Sequence, residues 1–507
     1  MQRSAFFRKI GYVVLLALML LVVNWLFRPA AGGREGAAGD PGGVLAQMRD
    51  RYHLGQTYLG DVDPTGETIK LTTLGMRGVA ANILWTKAND YKVRKDWSNL
   101  AATLRQLAKL QPTFVGVWEF QAWNIAFNVS AEFDDYRQRY RWVIRGIDYL
   151  REGMRYNERE AILPWEVGWF IYQKMGRSDE RKQFRRLFRE DDDFHGSRPL
   201  AERDSWLVAR EWYLLAIDMV EHRGATMRKK GPHLYRSDPA MCLINYAANL
   251  ESDGTFGEVA KRAWMHAARS WDEYGAADIP TTDGLVIRLG EKELHVETVK
   301  RLTAELDALQ PGLRETIVKE RRASLSEEQR EALDTPAARR DGRKLLLAGE
   351  AEERIMIRPL EIAERVSDGA ARKKAVAVAE ELQRTMHLVE VTERYREIVN
   401  YEYWRLRTQV EQSDELIAAH KFLYEGNRAY ADGDLLAARK AYDQGLAAWR
   451  QVLDNYPALR KDDITIDDLL RSVEVYKAIL DQLDEPLPKD FPLREIVRER
   501  LQGVVPQ

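Results

Sequence analysis

Phe422–Pro457 reads FLYEGNRAYADGDLLAARKAYDQGLAAWRQVLDNYP. Two helices fit this stretch and the residues just before it, Ala418–Ala431 and Leu435–Asn455. The turn Asp432-Gly433-Asp434 joins them. Gly426, Ala438 and Gly445 fall where paired helices must approach closely, and Tyr430 and Tyr442 fill the space between. A single hairpin of this kind cannot hide its own apolar face, so it implies stacked neighbours. The expected class is therefore all-α, a solenoid of helical hairpins.

Outward from this stretch, the same texture recurs upstream. Val79–Val93 and Trp97–Leu110 form a hairpin that Pro112 ends, because proline cannot continue a helix. Leu84, Ala88 and Tyr91, then Leu100, Leu104 and Leu107, keep the period of a helix with one apolar face. Val115–Asn128 with Tyr136–Gly153, and Pro164–Met175 with Asp179–Arg189, make two further pairs. Asp204–His222 follows, then Asp238–Leu250 and Phe256–Tyr274 around the turn Ser252-Asp253-Gly254. Leu285–Leu289 reads as a short extended run. After Glu291 the charge density rises, with helices at Glu291–Leu309, Ser326–Leu333 and Ala337–Arg358. Ala370–Gln412 reads as one helix of about 40 residues, roughly 60 Å long. Its stripe of Val378, Leu382, Val389, Tyr395, Tyr403 and Leu406 needs a partner. The expected partner is Ala337–Val366, antiparallel, as a spine leading into the 418–457 hairpin. Asp467–Leu483 caps the array, and Pro486, Pro488 and Pro492 mark an extended tail.

Composition excludes several classes. The 507 residues carry 77 basic and 79 acidic side chains, a net charge of −2, so no global field recruits nucleic acid. One cysteine, Cys242, precludes an internal disulfide. None of the eight histidines stands three or four residues from another, so no helix carries a His-x3-His metal pair. There is no Gly-rich phosphate loop and no Gly-x-Ser-x-Gly, and no catalytic residue, cofactor or metal is expected. The Asp191–Asp193 run reads as a solvated loop paired with the basic edge Arg181–Arg189.

Ile10–Phe27 is an apolar run of 18 residues broken only by Gly11 and Asn24, just long enough to span a bilayer. Arg3, Arg8 and Lys9 before it favour a cytoplasmic amino terminus and an extracytoplasmic bulk. A cleaved signal peptide is the alternative, with only Ala30-Ala31-Gly32 as a cleavage site. Pro29–Gly43, rich in Gly and Ala, reads as a tether. Gln56–Thr73 is turn-rich, with room for a short strand.

Fourteen tryptophans are present, and eleven of them lie between Trp85 and Trp271. Most fall in phase with apolar helix faces, which is the signature of core filling. The competing reading is an aromatic groove, with Trp118, Trp123, Trp165 and Trp169 as the ligand-binding candidates.

The 422–457 stretch resembles a tetratricopeptide (TPR) hairpin: Gly426, Ala438 and Tyr442 match its spacing, while Tyr430 comes one position late and Pro457 about two turns late. Leu84-Trp85, Leu110–Phe114, Val117–Asn124, Gly168-Trp169 and Asn400–Trp404 are similar to a family of membrane-anchored, TPR-like proteins from planctomycete-type bacteria. Those motifs identify a family without assigning roles. The organisation expected is an anchor at 1–28, a tether at 29–46, Trp-rich hairpins at 47–275, a connecting region at 276–336, a long-helix pair at 337–412, a hairpin with capping helix at 413–484 and a tail at 485–507. The function expected is a membrane-anchored scaffold that binds protein partners outside the cytoplasm, touching the bilayer through residues 10–27. The alternative is an envelope-glycan or small-ligand binder using the Trp-rich region.

Overall fold

The computed structural model describes residues 77–503 apart from Lys229, with a few isolated positions before residue 50. The expected tether and the 56–73 segment therefore lie outside the described residues. So does the span at 10–27, isolated positions excepted. Among the described residues no helix is long and apolar enough to cross a membrane. The class is all-α, and the chain divides into two compact units, Met1–Gly231 and Pro232–Gln507.

In the first unit, α1 (Arg77–Val93) pairs with α2 (Trp97–Leu110), whose amino end is capped by the Asp96 carboxylate. Next comes α3 (Val115–Trp123), which runs without a break into a π-helical turn, Asn124–Val129, and packs on α4 (Tyr136–Tyr156). Then α5 (Ile162–Phe170) passes into a second π-helical turn, Ile171–Arg177, followed by α6 (Arg181–Glu190) and α7 (Ser205–His222). The two π-turns were not legible as such: sequence periodicity predicts plain helix there. Close packing is set by small residues facing rings. A Cβ on Gly153 would lie 2.7 Å from the Trp118 ring, and one on Gly176 would lie 2.2 Å from Trp206. The Leu110-Gln111-Pro112 stop is a connector as well as a break. The Pro112 carbonyl accepts from Trp118 Nε1 and from Asn157 Nδ2, both at 2.8 Å and both buried.

In the second unit a single helical turn, Pro232–Tyr235, precedes α8 (Asp238–Ser252) and α9 (Glu258–Ala276), a hairpin, then a two-stranded antiparallel ribbon of β1 (Ile279–Pro280) and β2 (Val286–Ile287). Then follow α10 (Lys292–Leu309), α11 (Leu313–Ala323), α12 (Glu327–Asp334), α13 (Gly342–Ile355) and α14 (Pro359–Glu364). The long helix expected at 370–412 is two helices, α15 (Gly369–Ile398) and α16 (Tyr401–Glu411). Asn400 sits between them at φ 50°, a left-handed conformation that asparagine tolerates better than most residues. The break turns Tyr401 into the core, where its carbonyl accepts from Trp271 Nε1 at 3.1 Å. Arg396, with its side chain 3% exposed, bridges Glu293, Glu402 and the Leu289 carbonyl on the same side. The expected partner, 337–366, is met only through its last part, α14. α15 packs on α10 and α14, while α13 pairs with α12, because Leu302, Leu306, Ile362 and Ala363 supply the apolar face that Val378 and Leu382 need.

The decisive hairpin stands as read. α17 (Asp414–Ala431) and α18 (Leu435–Asn455) meet across the turn at Gly433, whose φ of 82° suits glycine. A Cβ on Gly426 would come within 2.6 Å of the Tyr442 ring, and one on Gly445 within 3.0 Å of Leu423. α19 (Asp463–Gln482) packs on α18. The tail is less extended than expected: Phe491 and Leu493, on either side of Pro492, are buried, as is Ile496 in α20 (Arg494–Gly503).

Gly426→Ala forces the Tyr442 ring to move and is expected to cost about 1–3 kcal/mol, an overpacking cost. Urea denaturation followed by circular dichroism checks it; an unchanged midpoint would mean these helices are not in the close contact described.

Candidate functional site

The first unit carries a recess of about 680 Å³ between α2, the π-turn after α3, and α4. Trp97, Phe133 and Trp142 supply its aromatic walls, and Ile125 and Val129 of the π-turn its aliphatic side. A π-turn widens the helix and re-aims side chains, and such turns recur at functional sites. Here the π-turn places two apolar side chains on the recess from successive turns.

Two polar residues also line it, Gln121 and Tyr149. Gln121 is 1% exposed and Tyr149 9% exposed. Gln121 Oε1 and the Tyr149 hydroxyl find no hydrogen-bond partner among the described residues. Leaving such a group buried and unpaired costs about 1–3 kcal/mol each. Burial pushes the Tyr149 hydroxyl well above the ordinary tyrosine range, with Glu152 adding and Arg105 opposing, so it stays a donor. The charged groups on the recess are Arg105, Arg145 and Glu132, with the Arg145 guanidinium 4.8 Å over the Trp142 ring.

The four tryptophans singled out in the sequence lie elsewhere. Trp118 is 2% exposed, wedged between Tyr149 and Tyr156 with its indole N–H spent on Pro112. It is a core element. The other three join one stack. Trp123 lies on Phe127 at 5.8 Å, Phe127 on Trp169 at 5.5 Å, and Trp169 on Trp165 at 6.5 Å. The i,i+4 spacing within α3 and its π-turn, and again within α5, lets these rings mesh. Lysines cap the ladder: Lys174 Nζ lies 4.2 Å from the Phe127 centroid and Lys230 Nζ 3.4 Å from that of Trp165. Trp123 is 41% exposed, whereas Trp165, another of the groove candidates, is buried at 5%. Pro164 lies in the first turn of α5, where a proline is tolerated at a helix start, and is itself buried. Trp97 and Trp142, which do line the recess, look no different in sequence from their neighbours. Only the folded chain separates them.

Two carboxylates flank the ladder. Burial raises Glu166 to about 7, with the Glu119 carboxylate adding and Lys230 opposing. Glu119 is raised as well, by burial first and Glu160 in addition, against Arg228. The acidic run resolves differently from expectation: Asp191 accepts from the Tyr140 hydroxyl at 2.6 Å and Asp192 from Arg203 at 2.6 Å, so its partners lie beyond the 181–189 edge.

No known protein family, curated protein or solved structure matches the chain.

Two expectations follow. Tyr149→Phe keeps the ring on Trp118 and deletes an unpaired hydroxyl, so stability is expected to hold or rise by up to about 1 kcal/mol. A urea midpoint lowered by the loss of a normal hydrogen bond would show that the hydroxyl has a partner. The second concerns pH. Glu166 binds its proton more tightly folded than unfolded, so its contribution is full below its ordinary value of 4.5 and is lost as pH rises through about 7. Urea midpoints are expected to fall across that window in the wild type and to stay flatter in Glu166→Gln.

Proposed function

We propose that the chain is a binding scaffold of stacked TPR-like hairpins, not an enzyme, and that it engages a protein partner through the Trp97–Trp142 recess. One observation carries this reading. An apolar, aromatic-walled recess of about 680 Å³ holds a buried acceptor, Gln121 Oε1, and a buried hydroxyl, Tyr149, both unpartnered among the described residues. A peptide unit brings the complements of both, an N–H for the amide oxygen and a carbonyl for the hydroxyl. An apolar side chain next to it takes the space between the indoles. Two arginines against one glutamate favour an acidic residue in the flanking sequence. Attachment to the extracytoplasmic face of a membrane through residues 10–27 belongs to the same reading and rests on the apolar run with its basic flank.

A second reading has its own observation. The Trp123–Phe127–Trp169 ladder, open at Trp123, is a platform on which sugar rings stack, and that would suit an envelope glycan.

A random-peptide display screen against the full chain separates the two. The expected yield is peptides with one aromatic or large aliphatic anchor, bound at least about tenfold more weakly by Trp142→Ala, or about 1.4 kcal/mol. Peptide binding indifferent to Trp142→Ala overturns the first reading. An oligosaccharide that quenches tryptophan emission in the wild type, and not in Trp123→Ala, supports the second.

A further inference from the structure

We propose that Glu251, Glu411 and His420 form a binding site for a divalent transition-metal ion such as Zn²⁺. The three come from separate helices of the second unit: Glu251 near the end of α8, Glu411 at the end of α16 and His420 within α17. Their ligand atoms lie within 4.8 Å of one another.

The orientation of the two carboxylates points to the ion. Each has its outer oxygen held by a donor: Trp264 Nε1 donates to Glu251 Oε1 at 3.1 Å, and Arg407 Nε to Glu411 Oε1 at 3.2 Å. That leaves the two Oε2 atoms converging on one ring nitrogen, His420 Nδ1, at 2.8 Å from Glu251 and 3.5 Å from Glu411. In a tetrahedral zinc site with bonds of about 2.0–2.1 Å, neighbouring ligand atoms stand roughly 3.3–3.4 Å apart. The His420–Glu411 spacing is within about 0.2 Å of that. The His420–Glu251 contact is a hydrogen bond in the empty cluster, about half an ångström shorter, and opens by that much to admit an ion. Donors that orient ligand carboxylates from behind are a regular part of metal sites.

A second, independent observation is the state of Glu411. Its side chain is 7% exposed, yet Oε2 makes no hydrogen bond among the described residues. A buried, unsatisfied carboxylate oxygen aimed at the cluster centre is expensive unless something satisfies it. With His420 neutral, the two carboxylates against Arg407 leave one net negative charge, which a divalent cation offsets. The His420 side chain is 24% exposed, so the cluster is not sealed from solvent, and one coordination position is left over for water or a ligand.

The test uses the full chain, stripped of metal with a chelator and then titrated with Co²⁺. The expected result is saturable binding of one equivalent with the visible absorption of low-coordinate cobalt, displaced by Zn²⁺, and a raised unfolding temperature with Zn²⁺. Trp264→Phe removes the donor behind Glu251 and is expected to weaken binding about 10–100-fold. Glu411→Gln and His420→Gln are expected to abolish it, with folding checked by circular dichroism. Cobalt that fails to saturate the wild type, or that binds the Gln variants unchanged, overturns the proposal and leaves a cluster held together by a proton on His420.

Discussion

The packing of rings against residues without a side chain is the constraint on which both units depend. Trp118 on Gly153, Trp206 on Gly176, Tyr401 on Gly275 and Tyr442 on Gly426 are four instances of one solution. A large flat ring fills the gap between two helices only if the facing helix offers bare backbone. Interiors pack at crystal density, so a missing or added methyl group at such a contact is felt. The same contacts set the register of each pair, because a one-residue slip would place a Cβ inside the ring.

Buried rings bring polar atoms with them, and their satisfaction decides much of the rest. The Trp118 indole N–H ends on Pro112, that of Trp271 on Tyr401, and that of Trp264 on Glu251. Each of these bonds ties a helix to a loop, to a helix start or to a charged side chain of the adjoining helix. Arg396 does the same among α10, α15 and α16 through the Leu289 carbonyl, Glu293 and Glu402. Among the buried polar atoms that the described residues leave without a hydrogen bond are Gln121 Oε1 and the Tyr149 hydroxyl in the first unit and Glu411 Oε2 in the second; Asn124 Nδ2, the Ser205 and Thr392 hydroxyls and the Trp206 indole N–H are others. Unmade bonds of this kind are costly to carry. Those of Gln121 and Tyr149 lie at the recess and that of Glu411 in the carboxylate–histidine cluster.

Much of the helical framework was legible in the sequence. Apolar period, proline stops and the Gly433 turn place α1, α2, α8, α9, α17 and α18 within a few residues of where they lie. These signals are local, since a helix carries its own hydrogen-bond ladder and its stops act within a turn or two. The helix reading failed at Asn400 and at the two π-turns. At Asn400 a distant contact outweighs local preference, the burial of Tyr401 against Trp271 and Gly275.

The site was legible only in part. The Trp-rich stretch contains the recess, yet the tryptophans named from it form a core wedge and a ladder, and the recess is lined by Trp97 and Trp142. Glu251, Glu411 and His420 show no spacing at all in the sequence. The amino-acid order by itself determined the all-α class, the hairpin turns and the small-residue positions, because those follow from interactions within a few turns of chain. Which rings face inward, which helix pairs with α15, and which charged groups meet were decided by tertiary structure. They depend on side chains from tens to more than a hundred residues apart sharing one volume, and no local rule encodes that.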